Sequence, residues 1–210
     1  MSERVEDGPP RRTRGRPRLT IDHEDVADAV AELYAEGGYE AVSIVETADR
    51  LGVSRATLYR SVPTKEELVA ILFEQCTGAL TESTTAAMAG AAGPAAQLIA
   101  MIRVQADAAV RMRSYIDLIV GGPGLPPDVY SRWLSWSREM EKMWVGVVGA
   151  NMADGHLDEG NPAVTARLIL GMIVSVSRWS RPKEQTGPEE IAQAVIQLLR
   201  LSDEAPGVLR

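Results

Sequence analysis

The sequence predicts an all-α protein in two parts: a cluster of short helices near the N-terminus and a larger body of longer ones. Three observations predict it. Apolar residues recur at intervals of three and four in each patterned block, and no stretch alternates with the period of a strand. Alanine and leucine abound, whereas one Phe and five Tyr among 210 residues give sheets little to build with. Ser or Thr with Glu three residues later opens blocks that Gly or Pro then closes. A chain of this length with 45% hydrophobic residues can bury a substantial core.

Residues 1–20 are rich in Gly, Pro and charge without periodicity, so a flexible arm is expected, with order beginning near Thr20. A first helix follows Asp22, which suits a cap, and carries Val26, Val30, Leu33 and Tyr34 up to Gly37-Gly38. Ser43 with Glu46 opens a second helix of about nine residues, through Leu51. Gly52 breaks the chain, Ser54 restarts it, and Pro63 stops this third helix. Thr64 with Glu67 opens a fourth, running through Leu68, Ile71, Leu72 and Phe73 toward the alanines near 90.

Beyond Gly93-Pro94 the pattern predicts one helix from Ala95 to about Val120, closed by the loop Gly121–Pro127. Residues 128 to about 153 place Val129, Trp133, Trp136, Met140, Met143, Val147 and Ala150 on one apolar stripe. Residues 162–179 form a strongly apolar helix, Pro182 to Pro188 a linker, and a last helix ends near Leu201.

The formal net charge is −7, yet Arg11 to Arg18 contains five arginines and no acid. Without them 17 basic residues face 29 acidic ones, a surplus of 12 acids. The segment from Arg50 to Lys65 is likewise free of acid and carries Arg50, Arg55, Arg60 and Lys65. Within it, Ala48 allows close approach of two helices, Gly52 turns the chain, and Leu51, Val53 and Leu58 fill the junction, as a helix-turn-helix requires. An acid-free third helix bearing Arg55, Thr57, Tyr59 and Arg60 suits phosphates and base edges in a major groove. In the arm, Arg14-Gly-Arg-Pro-Arg18 suits a narrow A·T minor groove, where Gly15 permits close approach and Arg14, Arg16 and Arg18 meet negative potential. A solubilising arm is the other reading.

The stretch from Ser43 to Leu68, SIVETADRLGVSRATLYRSVPTKEEL, resembles the DNA-binding domain of the TetR family of bacterial transcriptional regulators. The resemblance covers about 45 residues, from the first helix into the fourth, and implies that the third helix reads an operator. By it, Ser43 and Ser54 would contact phosphate, Arg55 and Thr57 would reach bases or phosphate, and Tyr59 and Lys65 would grip phosphate. The pattern departs at two packing positions: Thr47 stands where the family commonly has a bulky apolar residue, and Val62 where it has an aromatic. The resemblance further implies a homodimer formed through the last two helices, near 162–179 and 187–201, and a small-molecule effector pocket in the C-terminal part. The expected organisation is an arm (1–20), a DNA-binding head (21–66) and a helical ligand-binding and dimerisation body (67–205).

A pocket is expected between the helices of 95–120 and 128–153. Its candidate lining is Met101, Gln105, Met112 and Tyr115 on one side and Trp133, Trp136, Met140, Met143 and Trp144 on the other. Large apolar side chains at helical spacing are usually core, so the other reading of this stripe is core or dimer packing. Arg103, Gln105 and Arg111 could anchor a polar head group, or lie on a solvated face.

Two distant histidines, one Cys76 in apolar surroundings and no phosphate-cradling or Ser/His/Asp pattern leave catalysis without a candidate site, so no enzyme is expected. Asp154, His156, Asp158 and Glu159 match no metal-ligand spacing and read as a polar turn; neither metal nor cofactor is expected. Without a signal-peptide pattern or a run long enough to span a bilayer, a cytoplasmic protein with no membrane partner is expected. The reading is a transcriptional repressor released by a largely apolar or aromatic ligand. The alternatives are a DNA-binding regulator with no inducer and a helical interaction protein.

Overall fold

Each helix of the head begins where a side-chain oxygen meets amides that the helix itself leaves free. In the computed structural model, which describes residues 21–120, 125–179 and 186–201, Asp22 accepts from the Glu24 amide and opens α1 (His23–Ala41). Ser43 accepts from Glu46 and opens α2 (Ile44–Arg50), Ser54 accepts from Thr57 and opens α3 (Arg55–Ser61), and Thr64 accepts from Glu67 and opens α4 (Lys65–Ala89). At Gly37 and Gly38 the helical path of α1 is interrupted; Gly38 has φ 65°, so the chain turns where the glycine pair predicts. α2 is shorter than predicted, seven residues, because Leu51 already serves as its C-cap.

α4 carries threonines that would weaken an exposed helix, yet each hydroxyl is used. Thr77, Thr81 and Thr84 donate to the carbonyls of Phe73, Thr77 and Leu80 at 2.7–2.8 Å. This long helix leaves the head, packs on α1 and enters the body, where it lies along α5 (Pro94–Arg111). α5 is the axis of the body. It contacts α7 (Pro127–Ala153), α8 (Pro162–Trp179) and α9 (Pro188–Leu198), and buries Leu98, Ile99, Met101 and Ile102 among them. Pro at the start of α5, α7, α8 and α9 occupies the position where a missing N–H costs nothing.

In the body, one predicted helix needs correction. The block from Ala95 to Val120 is not one helix: α5 ends at Arg111, a 3-10 turn covers Arg113–Tyr115, and α6 (Ile116–Ile119) follows. The break lets Tyr115 turn toward Cys76 on α4 while Leu118 becomes fully buried, and this tertiary gain overrides a helical period that the sequence could have continued. Burial pushes the Cys76 thiol up to about 11, against a hydrogen bond from Tyr115 that acts the other way. The Tyr115 phenol is pushed up to about 12, first by burial and then by Cys76. Both groups are therefore neutral at physiological pH.

Asn151, fully buried near the end of α7, donates to the carbonyls of Pro94 and Val147, each at 2.8 Å, and so ties α7 to the start of α5. No helix among the described residues is long and apolar enough to cross a membrane.

Candidate functional site

The turn between α2 and α3 is built from backbone hydrogen bonds alone. The Gly52 amide donates to Asp49 at 3.2 Å and the Val53 amide to Ala48 at 3.0 Å, the pair of bonds that closes a helix on a left-handed residue. Gly52 has φ 63°, which is why glycine stands there. Ala48, Leu58 and Val62 are buried and pin α2 and α3 to the core, leaving the opposite face of α3 outside. On that face lie Ser54, Arg55, Ala56, Tyr59 and Arg60, all exposed, with Tyr59 at 57%. Arg55, Ala56, Tyr59 and Arg60 line a shallow groove. Among the described residues neither arginine has an acidic partner; Arg60 folds its Nε onto the Ala56 carbonyl at 3.1 Å and Arg55 extends free. An unpaired, acid-free cationic face with a protruding phenol is fit to meet phosphate oxygens.

The remaining candidates of the head are placed less simply. The Ser54 and Thr57 hydroxyls are 2.7 Å apart, so α3's cap and its neighbour form one polar unit at the helix start. Ser43 sits at the corresponding start of α2. Lys65 is not free: its Nζ lies 3.9 Å above the Tyr39 ring and 3.7 Å from Glu40. Tyr39 in turn donates to Glu66 at 3.3 Å, and burial with the Glu66 charge raises its phenol. Tyr39 therefore accompanies the candidate Lys65, a partnership 26 positions apart that no local pattern signals. Arg50, the other cation of the segment, turns inward to bind Glu32 at 2.7 Å and Glu36 at 2.6 Å on α1, and these hydrogen bonds raise its guanidinium further. It fastens the head together. Arg14, Arg16 and Arg18 lie outside the described residues.

In the body a cavity of about 290 Å³ opens between α5, α7 and α8. Of the predicted lining residues it brings together Gln105, Trp133, Trp136 and Met140. Met101, Met112 and Trp144 are instead core residues, and Tyr115 and Met143 pack against that core rather than on the cavity wall. The wall includes residues not predicted for it: Val120, Ser137, Glu141, Arg167, Leu170 and Val174. Three of these come from α8, which is apolar around most of its circumference. Ala166, Ile169, Ile173 and Val176 face the core, Arg167, Leu170 and Val174 the cavity, and Val164, Leu168 and Met172 the outside. The spacing of three and four that separates these faces was the available signal. Arg103 reaches Glu189 on α9 at 3.5 Å and Arg111 pairs with Asp107 at 2.6 Å, both largely exposed.

Trp136 joins the cavity to α4. Its ring meets Phe73 edge-on, with centroids 6.4 Å apart at 87°, and its indole N–H donates to the Thr81 hydroxyl at 3.0 Å. Arg132, one turn earlier on α7, binds Glu74 on the same helix as Thr81.

Residues 26–72 match the family model described as bacterial regulatory proteins, tetR family, and residues 91–202 match that of the tetracyclin repressor-like C-terminal domain. A TetR/AcrR family regulator from Thermobifida fusca superposes with a TM-score of 0.71 at 22% identity, over 90% of this chain and 98% of that one. AibR, in a complex with isovaleryl coenzyme A and operator DNA, gives 0.75 at 21% over 86% and 99%. PfmR, a TetR family regulator from Thermus thermophilus, gives 0.72 at 24% over 83% and 97%. No relative of curated function matches the sequence.

Proposed function

The chain belongs to the TetR family of bacterial regulatory proteins and is a helix-turn-helix transcriptional regulator; from that premise we propose that it represses as a homodimer on a palindromic operator and is released by a small ligand in the body cavity. The observation that carries the DNA half is the face of α3, where unpaired Arg55 and protruding Tyr59 stand on a helix anchored from behind by Leu58. Ser43, Ser54, Thr57, Arg60 and Lys65 would surround it with further phosphate contacts. Lys65 would exchange Glu40 for a phosphate while keeping the Tyr39 ring beneath it. The arginines 14, 16 and 18 would lie in the adjoining minor groove.

The dimer reading rests on α8 and α9. Val164, Leu168 and Met172 form an outward apolar row on α8, and Leu198 stands exposed on α9; a soluble protein gains by covering such a face. A second copy, related by a two-fold axis, covers it with itself. The two α3 helices must then sit about 34–36 Å apart to enter successive major grooves.

Release requires that the ligand favour a dimer with another spacing. Trp136 supplies the connection: a ligand filling the cavity presses its ring, and the ring is fastened to Phe73 and Thr81 on α4. From Thr81 back to Lys65 the helix is a rigid arm of about 24 Å, ending beside the reading head. The lining cation, Arg167, is already neutralised by Glu141, so the phosphates of a coenzyme A thioester, the ligand of AibR, find no charge partner on this wall among the described residues. A compact, mainly apolar effector fits better.

Genomic footprinting of the full chain tests the proposal. Inverted repeats whose half-site centres lie one or two turns apart, upstream of the genes affected by deletion, are expected. Enrichment without dyad symmetry would contradict it.

A further inference from the structure

Every polar group on the cavity wall but one already has a partner. The Trp136 indole N–H is spent on Thr81, and the Ser137 hydroxyl donates to the Leu134 carbonyl at 3.3 Å. Glu141 and Arg167 bind each other at 2.7 and 2.9 Å. Gln105 stands apart from these. It is only 7% exposed, it lines the cavity, and its amide makes no hydrogen bond to any described residue. Its carboxamide, two N–H donors and a carbonyl acceptor, meets solvent only through the cavity, so whatever fills the cavity must take over those hydrogen bonds.

We propose that Gln105 is the specificity residue of the cavity and that its ligand is a neutral aromatic molecule carrying one hydrogen-bonding oxygen, a ketone, amide or hydroxyl, that docks on this amide. The inference rests on the reading of the cavity as the effector site and adds what that site selects. Size and charge narrow the class. A volume near 290 Å³ holds roughly a dozen non-hydrogen atoms. Indole rings of Trp133 and Trp136 in the lining favour fused or single rings over a flexible chain. A carboxylate is disfavoured because it would enter beside Glu141, and the neighbouring Arg167 charge is already committed to that residue. A ligand of pure hydrocarbon is disfavoured in the opposite way, since it would seal the Gln105 amide off from water with nothing in exchange.

Three probes of equal heavy-atom count separate these cases: 2-acetylnaphthalene, 2-isopropylnaphthalene and 2-naphthoate, each titrated calorimetrically into the full chain and into Gln105→Leu. The ketone is expected to bind the native protein about tenfold more tightly than either analogue, roughly 1.4 kcal/mol. In Gln105→Leu that advantage over the isopropyl compound should vanish. Equal binding of all three, tightest binding of the naphthoate, or an unchanged preference in the variant would each overturn the assignment of Gln105 while leaving the cavity as a ligand site. Binding of none of the three would overturn the cavity reading and this inference together. If Gln105→Leu does not fold, the ranking in the native protein decides alone.

Discussion

In the proposed route from cavity to DNA, the bond between Trp136 and Thr81 is a link that can be isolated. Trp136→Phe keeps an aromatic ring but removes the N–H that donates to Thr81 at 3.0 Å; Thr81→Val keeps the shape and removes the acceptor. Thr81 also donates to the Thr77 carbonyl at 2.7 Å, so its loss costs a second, local bond that the cycle cancels. A neutral, partly buried hydrogen bond contributes about 1 kcal/mol net. Trp136→Phe should lose that plus about 1 kcal/mol of contact with Phe73 and the cavity wall. The double variant should then be less destabilised than the two singles together by about 1 kcal/mol. Urea denaturation of the four proteins gives these values. The same four proteins, titrated with operator DNA in the presence and absence of 2-acetylnaphthalene, give the coupling between the sites. Loss of the bond should shrink the ligand's effect on operator affinity several-fold and leave ligand affinity within about threefold. Additivity within a few tenths of a kcal/mol, or undiminished coupling in Trp136→Phe, would refute the route.

Other consequences follow from single groups. The Thr47 hydroxyl is fully buried and without a partner among the described residues, so Thr47→Val should raise the unfolding free energy by about 1–2 kcal/mol in urea titration; a loss would mean that the hydroxyl is satisfied. The Cys76 and Tyr115 acids are raised above their unfolded values of 9.0 and 10.0, so their stabilising share is complete below pH 9. It is lost as pH climbs toward about 11 and 12, because the unfolded chain releases protons that the folded one keeps. The melting temperature should fall between pH 8 and 10.5, and by less in Cys76→Ser; an equal fall would acquit the pair. Leu168, 64% exposed in the outward row of α8, would place two like charges across a two-fold axis when changed to Glu. Sedimentation velocity should then show a monomer where the native chain shows a dimer, and an intact dimer would contradict that interface.

What was legible in the sequence was what local chemistry decides. Ser43 with Glu46, Ser54, and Thr64 with Glu67 announce helix starts because the bonds they make span three residues. Gly52 announces the turn because the left-handed conformation there costs any side chain more. The exposed face of α3 followed from the same reasoning, since an acid-free short helix with Leu58 as its one large apolar anchor can point its cations only outward. What was not legible depends on partners far along the chain. The break at Met112 exists because Tyr115 finds Cys76, 39 positions earlier. Lys65 looked free until Tyr39 came to lie beneath it. The methionines and tryptophans of the body are nearly interchangeable as pattern, and only the crossing of α7 over α8 sends Trp136 and Met140 to a cavity and Trp144 to the core. Gln105 is a candidate lining residue from the sequence, but its burial is a property of the packed body.

The central claim is that the outer face of α3 reads the operator. The direct measurement is a fluorescence-anisotropy titration of a footprinted operator with the native chain, Arg55→Ala and Tyr59→Ala, repeated across a range of salt. Both variants should fold with native melting temperatures, since both side chains are exposed, and each should bind at least tenfold more weakly with a shallower dependence on salt. Native affinity and an unchanged salt slope in both would contradict the claim.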